Sequence, residues 1–151
     1  MILDIYVDGA CSGNPGEGAI GVLLKKKDKV LKEIAKPIGE TTNNIAEYSA
    51  LIYALQEALI RKEDRIRIFT DSELMCKQVK GEYKVKDPHL RFLYEQVKHL
   101  VEGFKEISIT HVPREQNKDA DRLASGILKS KAKMVASLFP TSGEESPSST
   151  G

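Results

Sequence analysis

Short apolar runs alternate with polar stretches along the first part of the chain, and this pattern predicts β-strands. The first run ends abruptly at Asp8-Gly9, and a loop rich in glycine, serine and asparagine follows it. A short apolar run bounded by turn residues is typical of a strand. Five strands are predicted in this way, at residues 2–8, 19–25, 30–38, 65–70 and 106–112.

Helical periodicity appears between these strands. Ile45, Ile52 and Leu59 recur at helical spacing and predict an amphipathic helix. Asn44 followed by Glu47 has the spacing of a capping box, so capping alone could explain this glutamate. Further helices are predicted at residues 73–80, from Pro88 onward and after Asn117.

The order of the predicted elements indicates the fold class. Hairpins at the start favour antiparallel pairing, and later strands separated by helices favour parallel pairing. We therefore predict an α/β fold with a five-stranded mixed sheet and helices on both faces. Residues 1–139 would form this domain, and the polar segment 140–151 is predicted to be a disordered tail.

Composition excludes several classes of protein. A chain of 151 residues, 40% hydrophobic and 30% charged, is typical of one globular domain. Its formal net charge of +1 gives no overall attraction to nucleic acid, so any attraction must be local. No apolar segment has the length of a membrane span. Cys11 and Cys76 lack a metal-binding spacing, and we expect reduced thiols in a cytoplasmic monomer with no obligate protein partner.

Four acidic residues lie where a predicted element begins or ends. Asp8 and Asp71 end strands, Glu47 lies in the first turn of a helix, and Asp121 opens the last helix. In open α/β sheets, such positions meet in the crevice where ligands bind. Carboxylates that meet there repel each other and raise their own pKa values unless a cation neutralises them.

The residue types in this set indicate which cation would bind. Oxygen ligands without histidine or cysteine favour magnesium or manganese over zinc. Two such ions about 4 Å apart suit hydrolysis of a phosphodiester, because one activates water and the other stabilises the leaving oxygen. A well-capped α/β domain without a site explains each acid singly, but it does not explain all four together.

Four segments resemble the signature blocks of type 1 ribonuclease H: YVDGACSGNPGEGAIG, TTNNIAEYSAL, FTDSELMCKQVKGEYKVK and HVPREQNKDADRLA. They occur in the order of the family and cover nearly the whole chain except the tail. The resemblance implies a ribonuclease H-like fold and cleavage of the RNA strand of RNA/DNA hybrids, with a 5′-phosphate and a 3′-hydroxyl as products. It places two Mg²⁺ ions, for which Mn²⁺ can substitute, on the four acids. It also places contacts to the scissile nucleotide and the 2′-hydroxyls at Cys11, Asn14, Asn43 and Asn44.

The chain departs from the best-known family members in the connection between its middle helices. The long basic protrusion that some members insert there is absent, and we also expect no separate hybrid-binding module. Four lysines near this connection either replace part of the phosphate contact or form a solvated face; they are Lys77, Lys80, Lys84 and Lys86.

A second departure concerns the flexible histidine that the family has before the last helix. His111 continues the alternation of the fifth strand with Ile107 and Ile109, so we expect it to be structural. Arg114 follows Pro113 in the loop and is our predicted substitute, as a cation that can hold a phosphate.

Two other classes of nucleic-acid protein remain as alternatives. A non-catalytic binding module with this fold would be expected to lack one of the acids, and none is missing. A junction resolvase or transposase core has a similar acidic crevice, but the TTNN and NKDAD segments argue against that class.

Overall fold

The computed structural model describes residues 1–139, and the predicted tail at residues 140–151 lies outside the described residues. The strands are β1 (Leu3–Gly13), β2 (Gly16–Lys26), β3 (Lys29–Thr41), β4 (Arg65–Thr70) and β5 (Glu106–His111). The helices are α1 (Asn43–Ile60), α2 (Glu73–Val79), α3 (Pro88–Val101) and α4 (Lys118–Leu138), with a short 3₁₀ helix (Arg114–Asn117) before α4. The predicted order of elements is confirmed.

The five strands form one mixed sheet, as predicted, in the order β3-β2-β1-β4-β5. β2 pairs antiparallel with β1 and with β3, whereas β4 pairs parallel with β1 and with β5. The pairing of β1 with β4 ends at Val7 opposite Thr70. Asp8 and Asp71 therefore each come directly after the last residue of the β1–β4 pairing, on two neighbouring strands.

The glycine-rich segment after Asp8 continues the sheet and is not the predicted loop. β1 and β2 stay paired as far as Gly13 opposite Gly16, and β3 extends to Thr41. The prediction that the first strand ends at Asp8 is wrong, because cross-strand pairing overrides the weak strand preference of glycine. Asp8 lies within β1, at the point where its pairing with β4 ends.

Two glycines let helices approach the sheet closely. A side-chain carbon at Gly9 would clash with the backbone of Ala46 in α1. A side-chain carbon at Gly21, which pairs with Asp8, would lie 2.8 Å from the backbone nitrogen of Ala124 in α4. Since successive residues of a strand point to opposite faces, α1 and α4 lie on opposite sides of the sheet. This confirms the prediction of helices on both faces.

The main core lies between the sheet and the helices α1, α2 and α3. Ile5, Ile68, Leu55 and Val97 are fully buried there. Burial of each such side chain contributes about 1.5–3 kcal/mol to the free energy of unfolding. Among residues 1–139, no helix has both the length and the apolar character needed to cross a membrane.

The close approach of α4 generates a test of the fold. We expect Gly21→Ala to lower the free energy of unfolding by about 1–3 kcal/mol, because the added methyl overpacks the sheet against α4. Gly126→Ala is the matched control within α4, where an added carbon meets no atom within 4 Å. It should raise stability by up to about 1 kcal/mol, since alanine favours helix. Urea unfolding of both variants measures the difference, and equal effects would contradict this packing.

Candidate active site

Three carboxylates meet where β1 and β4 separate. Asp8, Glu47 and Asp71 each provide an oxygen atom, and these atoms lie within 4.8 Å of one another. They line a cleft together with Asp121, which opens α4, and with Arg114 from the loop before it. The four acids that were predicted to meet therefore share one cleft.

Glu47 is held toward β1 by a backbone hydrogen bond. Its Oε1 accepts from the N–H of Gly9 at 3.1 Å. The prediction that Asn44 caps α1 is wrong, because the Thr42 hydroxyl accepts from the N–H of Ile45 and is the N-cap. The cap comes two residues earlier than predicted, so Glu47 lies beyond the reach of a capping box and its carboxylate is directed to the cleft.

The start of α2 leaves Asp71 free for the site. Ser72 is the N-cap of α2, and its hydroxyl accepts from the N–H of Met75 at 3.2 Å. Its own N–H donates to the hydroxyl of Thr70 at 3.0 Å. Because these neighbours satisfy the local backbone groups, the carboxylate of Asp71 is available to face Asp8 and Glu47.

Asp121 reaches the cleft from the opposite side of the sheet. It lies in the first turn of α4, close enough to Asp8 to contribute to the rise in the pKa of that residue. Its Oδ1 is 3.9 Å from the nearest guanidinium nitrogen of Arg114, which is 81% exposed. Asp121 is thus the acid of the set that is closest to a compensating positive charge.

Crowding of carboxylates changes their ionisation. Burial, together with the charges of Glu47 and Asp71, raises the pKa of Asp8 to about 9. Burial and the charge of Asp71 raise the pKa of Glu47 to about 8, although the Gly9 N–H and Arg114 oppose this rise. Burial also raises the pKa of Asp71, against the opposing effect of Arg114. If all of these carboxyls were ionised, the cleft would therefore contain more negative charge than the protein itself neutralises.

This donor set fits a hard divalent cation. Its ligand atoms are all carboxylate oxygens, which Mg²⁺ and Mn²⁺ prefer. The raised pKa values of Asp8 and Glu47 are relieved when a cation binds and displaces their protons. Asp8, Glu47 and Asp71 would hold the ion, with Asp121 beside them.

The end of β5 and the loop after it bring both candidates for the phosphate-assisting residue, His111 and Arg114, to the cleft. Pro113 follows the strand, as predicted, and Arg114 lines the cleft. His111 is exposed and also lines the cleft, so the expectation that it is a structural residue of the strand is wrong. β5 ends at His111, and Ile107 and Ile109 pack against the main core whereas this last residue is exposed.

Comparison with known proteins agrees with this geometry. A family model described as reverse transcriptase-like matches residues 6–126. Ribonuclease HI of Halobacterium salinarum is 44% identical over 124 residues, which are 82% of this chain and 62% of that protein. This chain belongs to the ribonuclease H1 family. It spans less than two-thirds of the length of the Halobacterium relative.

Solved structures of this family match over most of the chain. The crystal structure of ribonuclease H1 from Halobacterium salinarum has a TM-score of 0.83 at 42% identity, and the match covers 86% of this chain and 99% of that one. LC11-RNase H1, isolated from compost, was solved in complex with an RNA/DNA hybrid. It has a TM-score of 0.78 at 37% identity, and the match covers 82% of this chain and 94% of that one.

The residues that the ribonuclease H resemblance places near the substrate lie around one end of the cleft. Cys11 and Asn43 line it. Asn14 is exposed at the tip of the β1–β2 hairpin, where its Oδ1 accepts from the N–H of Asn43 at 3.1 Å. Asn44 is exposed at the start of α1 but does not line the cleft. The hairpin tip and the start of α1 are therefore joined.

The lysines that could replace the basic protrusion lie outside the cleft. Lys77 pairs with Glu73 at 3.1 Å, and its ammonium lies 5.0 Å from the centre of the Tyr83 ring. The other three, Lys80, Lys84 and Lys86, are exposed. α2 ends at Val79 and α3 begins at Pro88, so the predicted short connection in place of a protrusion is confirmed.

Sequence reasoning missed two side chains at this site. The sequence indicates a structural role for His111 and a capping role for Asn117. Asn117 precedes α4, but its side chain makes no capping bond; its Nδ2 donates to the carbonyl of Val7 at 2.9 Å. Only the spatial alignment of strand ends identifies these residues, since both lie far from Asp8 in sequence.

The raised pKa values predict how stability depends on pH without metal. A carboxyl with a higher pKa in the folded chain binds its proton more tightly when folded, so its stabilising effect is full below the unfolded pKa. That effect is lost as pH rises from about 4 through the values of about 8 and 9 for Glu47 and Asp8. In chelator, we therefore expect the melting temperature to fall as the pH rises across this window.

A variant and a metal addition check this dependence. Asp8→Asn removes one ionisable group, so its melting temperature in chelator at pH 8 should equal or exceed that of the wild type. Millimolar Mg²⁺ should raise the wild-type value more than that of the variant. A clear fall in the melting temperature of Asp8→Asn in chelator would contradict the proposed repulsion, and calorimetry at several pH values measures it.

Proposed function

We propose that this chain is a ribonuclease H that hydrolyses the RNA strand of RNA/DNA hybrids internally. The observation that carries the proposal is the group of carboxylates from Asp8, Glu47 and Asp71 within 4.8 Å of one another, with Asp121 in the same cleft. Membership of the family, whose LC11 member was solved with a hybrid, supports the substrate.

The proposed cofactor is a pair of Mg²⁺ ions, for which Mn²⁺ can substitute. When bound, such a pair supplies an activated water and stabilises charge on the leaving oxygen, which leaves 5′-phosphate and 3′-hydroxyl ends. The protein contributes the ligand geometry: the N–H of Gly9 fixes Glu47, and the β1–β4 pairing fixes Asp8 and Asp71. The low exposure of Asp8, 5%, limits competing water around the ligands.

Arg114 is proposed to assist departure of the cleaved phosphate. Its guanidinium is mostly exposed beside the cleft, and it lies close enough to the acids to oppose the rise in the pKa values of Glu47 and Asp71. Arginine stays protonated at neutral pH, so its role is electrostatic, by holding phosphate oxygens in a bidentate way.

Substrate choice is proposed to depend on the 2′-hydroxyl and not on base sequence. Cys11, Asn14, Asn43 and Asn44 have short polar side chains at or near the cleft, and they suit contacts with sugar hydroxyls better than contacts with base edges. Exposed Lys80, Lys84 and Lys86 are proposed to contact phosphates. We further propose that the enzyme acts in the cytoplasm as a monomer.

Cleavage of an end-labelled hybrid tests this function directly. The expected result is cutting of the RNA strand with Mg²⁺ and none with chelator, and an intact DNA/DNA duplex of the same sequence. Sensitivity of the 5′ end to phosphatase checks the proposed end chemistry. Binding of the hybrid without any cleavage would favour the non-catalytic module, and cutting of branched DNA would favour a resolvase.

Two aspartates in the first turn of α4 provide a matched test of the site. Asp121→Asn should lower turnover by more than the roughly 10- to 100-fold that loss of a supporting residue costs. Asp119→Asn is the control, because Asp119 is exposed, pairs with Arg122 at 3.0 Å and does not line the cleft. Equal rates for the two variants, measured by hybrid cleavage, would exclude Asp121 from the site.

The two basic residues at the cleft, Arg114 and His111, generate a separate prediction. Arg114→Ala should lower steady-state turnover by about 10- to 1,000-fold, the scale of one charge-stabilising contact. His111→Ala should change stability by less than about 0.5 kcal/mol, because His111 is exposed. Comparison of single-turnover and steady-state rates separates product release from cleavage. If His111→Ala is slow and Arg114→Ala is near normal, the role belongs to His111.

A further inference from the structure

Asn117 is a buried amide with an unusual set of partners. Asn117 is 1% exposed and lies where the 3₁₀ helix passes into α4. Its Nδ2 donates to the carbonyl of Val7, and its Oδ1 is buried without a partner among the described residues. Buried side-chain amides ordinarily form hydrogen bonds through both the nitrogen and the oxygen. Within the described part of the chain the nitrogen alone has a partner, so the polar contribution of this side chain comes from its donor group.

This donor group lies between three of the acids. Val7 is the residue before Asp8, and its carbonyl lies at the end of the β1–β4 pairing. The amide also lies close enough to the carboxylate of Asp71 to oppose the rise in the pKa of that group. Asp121 follows Asn117 by one helical turn in α4. A single side chain thus joins β1 to the start of α4, beside the acid that follows β4.

We propose that Asn117 is a positioning residue of the metal centre, which sets the mutual placement of Asp8, Asp71 and Asp121 through its amide donor. The inference rests on the metal centre proposed above. Without this donor, the Val7 carbonyl loses its partner and the first turn of α4 is no longer tied to β1. Residues that orient metal ligands in this way affect metal affinity, although they do not touch the ion.

Binding of Mn²⁺ to the full chain without nucleic acid, measured by calorimetry, tests the inference. Asn117→Leu keeps the approximate volume and removes the donor, and Asn117→Ala removes both. Both variants should bind Mn²⁺ about 10- to 100-fold more weakly than the wild type. Val97→Ala is the control, because Val97 is fully buried in α3 away from the cleft. It should lower the melting temperature and leave Mn²⁺ affinity unchanged.

Each outcome has a defined meaning. Wild-type affinity in folded Asn117 variants overturns the inference, and so does an equal loss of affinity in Val97→Ala. No Mn²⁺ binding by the wild type overturns the metal centre itself, and the inference with it. Weaker binding in the Asn117 variants alone supports the positioning role.

A measurement on the wild type applies even if the Asn117 variants do not fold. The side-chain amide protons of Asn117 should shift in NMR spectra during Mg²⁺ titration. The Mg²⁺ concentration at the midpoint of this shift should equal the midpoint for the backbone amide of Gly9, which donates a hydrogen bond to Glu47. A shift at Gly9 without one at Asn117 overturns the inference.

Discussion

Mutual repulsion of carboxylates is the constraint on which the structure of this site depends. The parallel pairing of β1 with β4 brings Asp8 and Asp71 to one edge, and α1 adds Glu47. Each carboxylate makes ionisation of the others less favourable, and burial adds to this effect. Folding must therefore hold these groups together against a force that would separate them, until a cation relieves it.

Close packing of helices against the sheet provides this restraint. Gly9 and Gly21 let α1 and α4 approach opposite faces of the strands that carry Asp8 and its neighbours. The backbone contacts are too close for a side chain, so the helices that supply Glu47 and Asp121 have little freedom to withdraw. Well-packed interiors resist such displacement because any gap loses contact energy.

The sequence predicts the elements and the acids, but not the details that depend on tertiary pairing. Asp8, Glu47, Asp71 and Asp121 were found because carboxylates at element boundaries have a recognisable pattern. The extension of β1 to Gly13 depends on its pairing with β2. The N-cap at Thr42 is a local bond to Ile45, but threonine and asparagine both cap helices, so composition does not distinguish Thr42 from Asn44. His111 was misassigned because strand alternation gives the face of a residue, but not whether a helix covers that part of the strand.

The hydrogen bond from Asn117 to Val7 joins residues 110 positions apart, near the two ends of the folded domain. Contacts between such distant segments form only after most of the intervening chain is ordered. During synthesis on the ribosome, β1 emerges first and must wait for α4 before its acids have their full set of neighbours. Until its last helix is released, a nascent chain therefore lacks both the bond from Asn117 to Val7 and the carboxylate of Asp121.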